Sequence, residues 1–251
     1  MRITVLGGAG AWPEPTAGCS GYVIEHEDFI LVVDPGYATL LPLLAYCPAA
    51  AVDAVVVTHG HPDHCADLHP LLRARALPRE PLPPLPCYAP AGALDAVLAL
   101  DEPELLDGAY SLHELSQAHR LVIGPFTIDT AWLPHFLPNA GLRITAGRTT
   151  VVYTGDSGPS PDFAGFAVGA DLLIAESTYA TEVPARQAGF LSTAVDAAAL
   201  ATRAEAGTLW LTHLWPGSSP AAHLEAAARG YAGPTAVARP GLAWTSPVEP
   251  R

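Results

Sequence analysis

Four residues able to bind a divalent ion fall within six positions at His59-Gly60-His61-Pro62-Asp63-His64. Imidazole and carboxylate donors suit zinc, but manganese and iron accept the same mixture, so ligand type leaves the metal open. In an extended segment, side chains two residues apart face the same way. His59 and His61 can therefore grip one ion, while a turn at Pro62 redirects Asp63 and His64 towards a second. Two divalent ions held this close share a water or hydroxide, acidify it towards neutral pH and stabilise the charge that develops as it attacks an electrophile. The expected chemistry is hydrolysis through that metal-bridging hydroxide. Asp63 is placed to orient the nucleophile and receive its proton as well as to bind metal, so no serine or cysteine nucleophile is needed.

The elements that must carry these residues can be read on either side of them. Ala54-Val55-Val56-Val57-Thr58 suits a buried strand that delivers the histidines at its C-terminal end. Upstream, Arg2–Leu6 reads as a first strand leaving through Gly7-Gly8-Ala9-Gly10. Gly21–Glu25 and Phe29–Val33 read as a hairpin around His26-Glu27-Asp28, closed by Asp34-Pro35-Gly36, and Leu40–Tyr46 as a short helix. Between Leu77 and Pro90, Pro78, Pro81, Pro83, Pro84, Pro86 and Pro90 argue for a loop or edge segment, against helix and any central strand. Further strands are expected at Phe126–Trp132, Leu142–Thr145, Thr150–Thr154, Asp171–Ala175 and Thr208–Thr212. The alanine-rich Thr193–Ala206 should be a helix, with Ser192 or Thr193 as its N-cap. Strands early and late with helices between them predict a layered α/β arrangement, one domain over residues 1–251.

Composition narrows the partners. The net charge is −13, from 25 acids against 12 bases, and every base is arginine. Affinity for polyanions comes largely from cationic contacts to phosphates, so nucleic acid is disfavoured as a partner and a small-molecule substrate is expected. The densest basic cluster, Arg73, Arg75 and Arg79, reads as a solvated helix face. Cys19, Cys47, Cys65 and Cys87 form no C-x-x-C pair, which suits a reducing compartment without a disulfide framework. Cys65 is expected to point away from the metals. No run approaches the ~20 apolar residues of a membrane helix, and Pro13-Glu14-Pro15 breaks any signal region before Cys19. The expectation is a soluble, cytoplasmic protein with no membrane partner, a homodimer being left open. The remaining histidines, His26, His69, His113, His119 and His223, form no cluster and are expected in surface or capping roles.

The histidine motif after a hydrophobic strand resembles the metallo-β-lactamase superfamily, and later segments match in order over essentially the whole chain. The resemblance implies a four-layer αββα sandwich and a dinuclear site. Asp34-Pro35-Gly36 resembles the family's early acidic turn, and His135, after Trp132-Leu133-Pro134, its third ligand for the first metal. Val151-Val152-Tyr153-Thr154-Gly155-Asp156 resembles the strand that delivers a bridging aspartate, and Leu209-Trp210-Leu211-Thr212-His213 the strand that delivers the last histidine. By this carry-over His59, His61 and His135 would bind one ion, Asp63, His64 and His213 the other, and Asp156 would bridge them.

Asp171–Thr178 resembles the acidic segment of the ribonuclease Z-like branch, where Glu176 is either a proton-transfer group or a structural carboxylate. Two departures stand out. Phe190-Leu191-Ser192-Thr193 occupies the place where that branch carries a histidine, and Gly158 to Gly189, with Arg186 as its only base, is no basic arm for transfer RNA. The leading expectation is hydrolysis of a small phosphodiester, such as a cyclic nucleotide, rather than transfer-RNA maturation. The alternatives are an ester, lactone or thioester hydrolase with the same metals, its pocket lined near Trp12, Pro134-His135-Phe136 and Trp215, or a non-catalytic metal-binding protein on the same fold.

Overall fold

The computed structural model describes residues 1–78 and 82–246. In chain order the first half supplies β1 (Arg2–Ala9), β2 (Gly18–Cys19), β3 (Gly21–His26), β4 (Phe29–Val33), β5 (Ala54–Val56), β6 (Leu85–Pro90) and β7 (Tyr110–Leu115). The second supplies β8 (Arg120–Ile123), β9 (Phe126–Leu133), β10 (Asn139–Ala146), β11 (Thr149–Tyr153), β12 (Leu172–Glu176), β13 (Leu209–Thr212) and β14 (Thr235–Val237). A last strand, β15 (Ala243–Thr245), returns to the first sheet. Among the described residues the sheets run β15-β1-β3-β4-β5-β6-β7, with β2 beside β1, and β14-β13-β12-β11-β10-β9-β8.

Alternation along the strands builds the layers. Leu31, Val33, Ala54 and Val56 of the first sheet meet Leu142, Val151, Leu172, Ile174 and Trp210 of the second between the sheets. The side chains between them point outward. Val32, Val55 and Val57 pack under α1 (Leu40–Tyr46), α3 (Leu68–Ala76) and α4 (Asp95–Leu98). Val152, Leu173, Ala175 and Leu211 pack under α5 (Phe163–Ala167), α6 (Ala194–Arg203) and α7 (Pro220–Ala227). Strands covered on both faces read as nearly continuous apolar runs. The result is the αββα sandwich that the resemblance implied. Thr193 is the cap of α6, in a capping box with Asp196, a contact worth about 1 kcal/mol.

Three expectations need correction. The proline-rich stretch contains β6, which lies inside the first sheet, paired to β5 and β7. Tyr88 O accepts from Val57 N, so even-numbered residues of β6 face β5. That strand pairs only with Cys87 and Tyr88. Pro86 and Pro90 thus flank the contact, where no donor is required. Arg75 is buried rather than solvated, its guanidinium donating to Ala49 O, Val52 O and Pro83 O, while Arg73 pairs with Asp101. Arg79 and Pro81 lie outside the described residues. The first strand also continues through the glycines to Ala9 instead of ending at Leu6.

The sheets meet at one edge. Ala140 N donates to Thr58 O, His213 N to Gly8 O and Gly10 N to Leu214 O, and Tyr22 Oη lies 2.5 Å from Thr212 Oγ1. No helix among the described residues is long and apolar enough to cross a membrane.

Candidate metal centre

All the expected ligands gather at that edge, each just beyond the C-terminal end of a strand. His59 follows β5. His61 is the extended N-cap of α2 (Pro62–Cys65), with Pro62 in the first turn, where a missing N–H costs nothing. Asp63 and His64 sit on α2, and His135, Asp156 and His213 follow β9, β11 and β13. Two glycines make room for them. A Cβ at Gly36 would lie 1.9 Å from Asp63 O, and one at Gly10 would lie 2.8 Å from His213 Nδ1.

Two groups of donor atoms result, each lying within 4.8 Å of one another: His59, His61, His135 and Asp156, and Asp63, His64, Asp156 and His213. In the first, His61 Nδ1 is 3.0 Å from both His59 Nε2 and His135 Nε2, and Asp156 Oδ2 is 3.8 and 3.7 Å from the latter two. In the second, His213 Nε2 is 3.1 Å from Asp63 Oδ2 and from Asp156 Oδ2, and His64 Nε2 is 3.1 Å from Asp156 Oδ1. Asp156 belongs to both groups.

The outward-facing ring nitrogens are held by partners that aim Nε2 inward. His64 Nδ1 donates to Asp34 Oδ2 (2.7 Å), and His213 Nδ1 contacts Thr178 Oγ1 (2.9 Å). His59 Nδ1 contacts Thr58 Oγ1 (3.1 Å), and His135 Nδ1 donates to the carbonyl of Phe190 (3.0 Å). Such outer contacts fix tautomer and orientation in metal sites. Asp34 is itself gripped by Thr58 N and Oγ1 and by Tyr153 Oη. Ala11 N donates to Asp63 Oδ2 at 2.8 Å.

Electrostatics point the same way. Burial opposes protonation of His64, yet the carboxylates of Asp156, Asp34 and Asp63 hold its pKa well above the ordinary range. Burial likewise opposes protonation of His213, but Asp156 and Asp63 raise it. Burial and the neighbouring His64 push His59 well below the usual value, and burial lowers His135. Two aspartates beside two buried histidines whose pKa values they raise make a centre suited to a cation in place of protons. The fit is supported by His64 Nε2 and Asp156 Oδ1, both buried, whose only polar partners among the described residues are each other and the other donor atoms of the site. The residues therefore suit divalent ions, with imidazole and carboxylate as donors.

A family model described as the beta-lactamase superfamily domain matches residues 30–214. The chain belongs to the β-lactamase superfamily. Within that superfamily it is 34% identical to the probable metallo-hydrolase YhfI of Bacillus subtilis, over 85% of this chain and 87% of the relative. The crystal structure of YhfI, a metallo-β-lactamase fold protein, aligns at a TM-score of 0.89 and 32% identity, covering 97% of this chain and 99% of that one. The ribonuclease Z of Myxococcus xanthus is 28% identical, covering 99% of this chain and 98% of its own. This superfamily member is accordingly a metallo-hydrolase.

Beyond the candidate ligands, sequence reasoning missed Thr58, Tyr153, Thr178, the Ala11 amide and the Phe190 carbonyl. Thr58, next to His59 at a strand end, carried a readable signal; a backbone carbonyl carries none. Cys65 donates to His61 O and packs into the helical layer, away from the donor atoms. Glu176 is buried and accepts from Thr178 N, Thr178 Oγ1 and Ser192 N. Burial pushes its pKa up to about 8. Of the histidines expected at the surface or in caps, His69 is tied to Asp101. His223 is buried in α7 at 1% exposure, with Nδ1 on Ser219 O.

Proposed function

We propose that the chain hydrolyses a small phosphodiester with two divalent ions, one held by His59, His61 and His135, the other by Asp63, His64 and His213, with Asp156 shared. The observation that carries this reading is the pair of four-donor groups with Asp156 common to both. When bound, such ions activate water and neutralise charge developing on the substrate. Zinc suits the donor set, with manganese or iron as alternatives. Asp63, anchored at Oδ2 by Ala11 N, orients the attacking water and receives its proton.

The resemblance to a ribonuclease Z supports a phosphodiester. The charge of −13 favours a small one over RNA. Phe190 cannot deliver a proton to a leaving group, and Glu176 is engaged by three donors, so a substrate with a good leaving group fits best. A second reading, an ester, lactone or thioester, is favoured by the exposed aromatic rings Trp12 and Phe136. The test uses elemental analysis and a panel of cyclic nucleotides, activated phosphodiesters, lactones, thioesters and precursor transfer RNA. The expected result is about two ions per chain and fastest turnover of a small phosphodiester. Full activity in metal-free protein, or transfer-RNA cleavage beyond the best small substrate, would overturn the reading.

A further inference from the structure

Five aromatic side chains fall in two sets beside the metal centre. Phe136 follows His135, with ring centroids 5.3 Å apart, and stacks on Phe190 at 4.7 Å and 27°. The Phe190 carbonyl is the group that holds His135 Nδ1. On the side of the second donor group, Trp12 follows Ala11, whose amide binds Asp63. Trp12 meets Trp215 edge-on at 5.1 Å, and Trp215 stacks on Tyr179 at 5.9 Å. Gln187 joins the two sets, its side chain accepting from Tyr179 Oη and its carbonyl from Phe190 N.

We propose that Phe136 and Phe190 form a platform that stacks the planar heteroaromatic base of the substrate, so that the enzyme selects nucleotide phosphodiesters over those lacking a ring. This rests on the phosphodiester reading of the same site. Three features favour a flat ring as the occupant. Phe136 and Phe190 are 48% and 40% exposed although they touch a buried ligand histidine, and a near-parallel pair presents a broad π face for offset stacking. The net charge of −13 repels an anionic substrate at long range, so an uncharged contact to its non-reacting part adds affinity that the overall charge does not. Stacking supplies affinity that does not require a cation, roughly a factor of ten or more per base.

The test is calorimetric binding of adenosine 5′-monophosphate and ribose 5-phosphate to the metal-loaded protein, which share a phosphate and differ in the base. The wild type is expected to bind the nucleotide about tenfold more tightly. Phe136→Leu and Phe190→Leu, which keep the backbone carbonyl, should bring the nucleotide down to the level of ribose 5-phosphate and leave the latter unchanged. Trp12→Leu should preserve the preference. Equal affinities in the wild type, or a preference that survives both leucine variants or disappears with Trp12→Leu, overturn the platform. Turnover of the 3′,5′-cyclic phosphates of adenosine and of methyl riboside separates the two readings. Equal rates overturn the platform and leave the phosphodiester reading standing. Ring-dependent binding without turnover of either does the reverse.

Discussion

Replacing Asp34 by asparagine isolates the outer support of the metal centre without touching a ligand. Asp34 receives four donors: His64 Nδ1, Thr58 Oγ1 and Tyr153 Oη on Oδ2, and Thr58 N on Oδ1. An asparagine offers one acceptor and one donor. Its oxygen would turn to the side with three donors, setting the NH₂ group against the Thr58 amide. That loses one buried hydrogen bond and orphans a donor, at about 1–3 kcal/mol. The bonds that remain lose their charge assistance, which is worth about as much again. A destabilisation of about 2–6 kcal/mol follows, together with a 10–100-fold weaker hold on an ion at the site proposed for His64, the usual effect of losing an outer partner. The assays are denaturant unfolding of the metal-free protein and competition with a chromophoric chelator. A variant with wild-type stability and metal affinity within about twofold would refute the role assigned to Asp34.

Other expectations follow from the same geometry. His64→Ala should lower turnover by orders of magnitude and remove about one ion per chain by elemental analysis. His223→Ala should keep activity and metal content but, because His223 is buried, cost about 1–2 kcal/mol in denaturant unfolding; equal losses of activity in the two would contradict the separation of ligand from bystander. Gly36→Ala would set a Cβ 1.9 Å from Asp63 O, so α2 must shift and turnover should fall at least tenfold; an unimpaired variant would show that the contact is soft. The raised pKa of Glu176, about 8, means that the folded chain keeps a proton the unfolded chain releases near pH 4.5. The stability from this group is full below that pH and is lost as pH rises through about 8. Melting temperatures of the metal-free protein should therefore fall over this range less steeply in Glu176→Gln, and parallel curves would refute the shift.

What the sequence disclosed depended on how local the signal was. The donors between His59 and His64 announce themselves by spacing, and the run Ala54–Thr58 announces the strand that carries them. His135, Asp156 and His213 are isolated residues after strands, visible only through a family resemblance. The grip of Tyr153 on Asp34, residues 119 apart, is written in no local pattern. Among strands, β7, β8, β14 and β15 went unread, and all four are edges; in β7 and β8 exposed apolar residues such as Leu112 and Val122 mix with Ser111, His113 and Arg120 and blur the alternation. Pro86 and Pro90 misdirected the reading of β6 because a proline is harmful only where a neighbouring strand needs its N–H, and the shortness of β5 is a tertiary fact.

The donor atoms come from both β-layers: four from the loop after β5, three from the ends of β9, β11 and β13. Asp63 and His213, in contact at 3.1 Å, are 150 residues apart. The consequence concerns the order of assembly. Neither half of the chain alone can form the shared cage, and loops this long close late in folding. On the two-ion reading proposed above, the ions join a scaffold that is already complete, unlike a zinc finger, where metal drives the chain to fold. Chelation should leave a folded, refoldable protein, and a nascent chain cut before His213 should capture no second ion however much metal surrounds it.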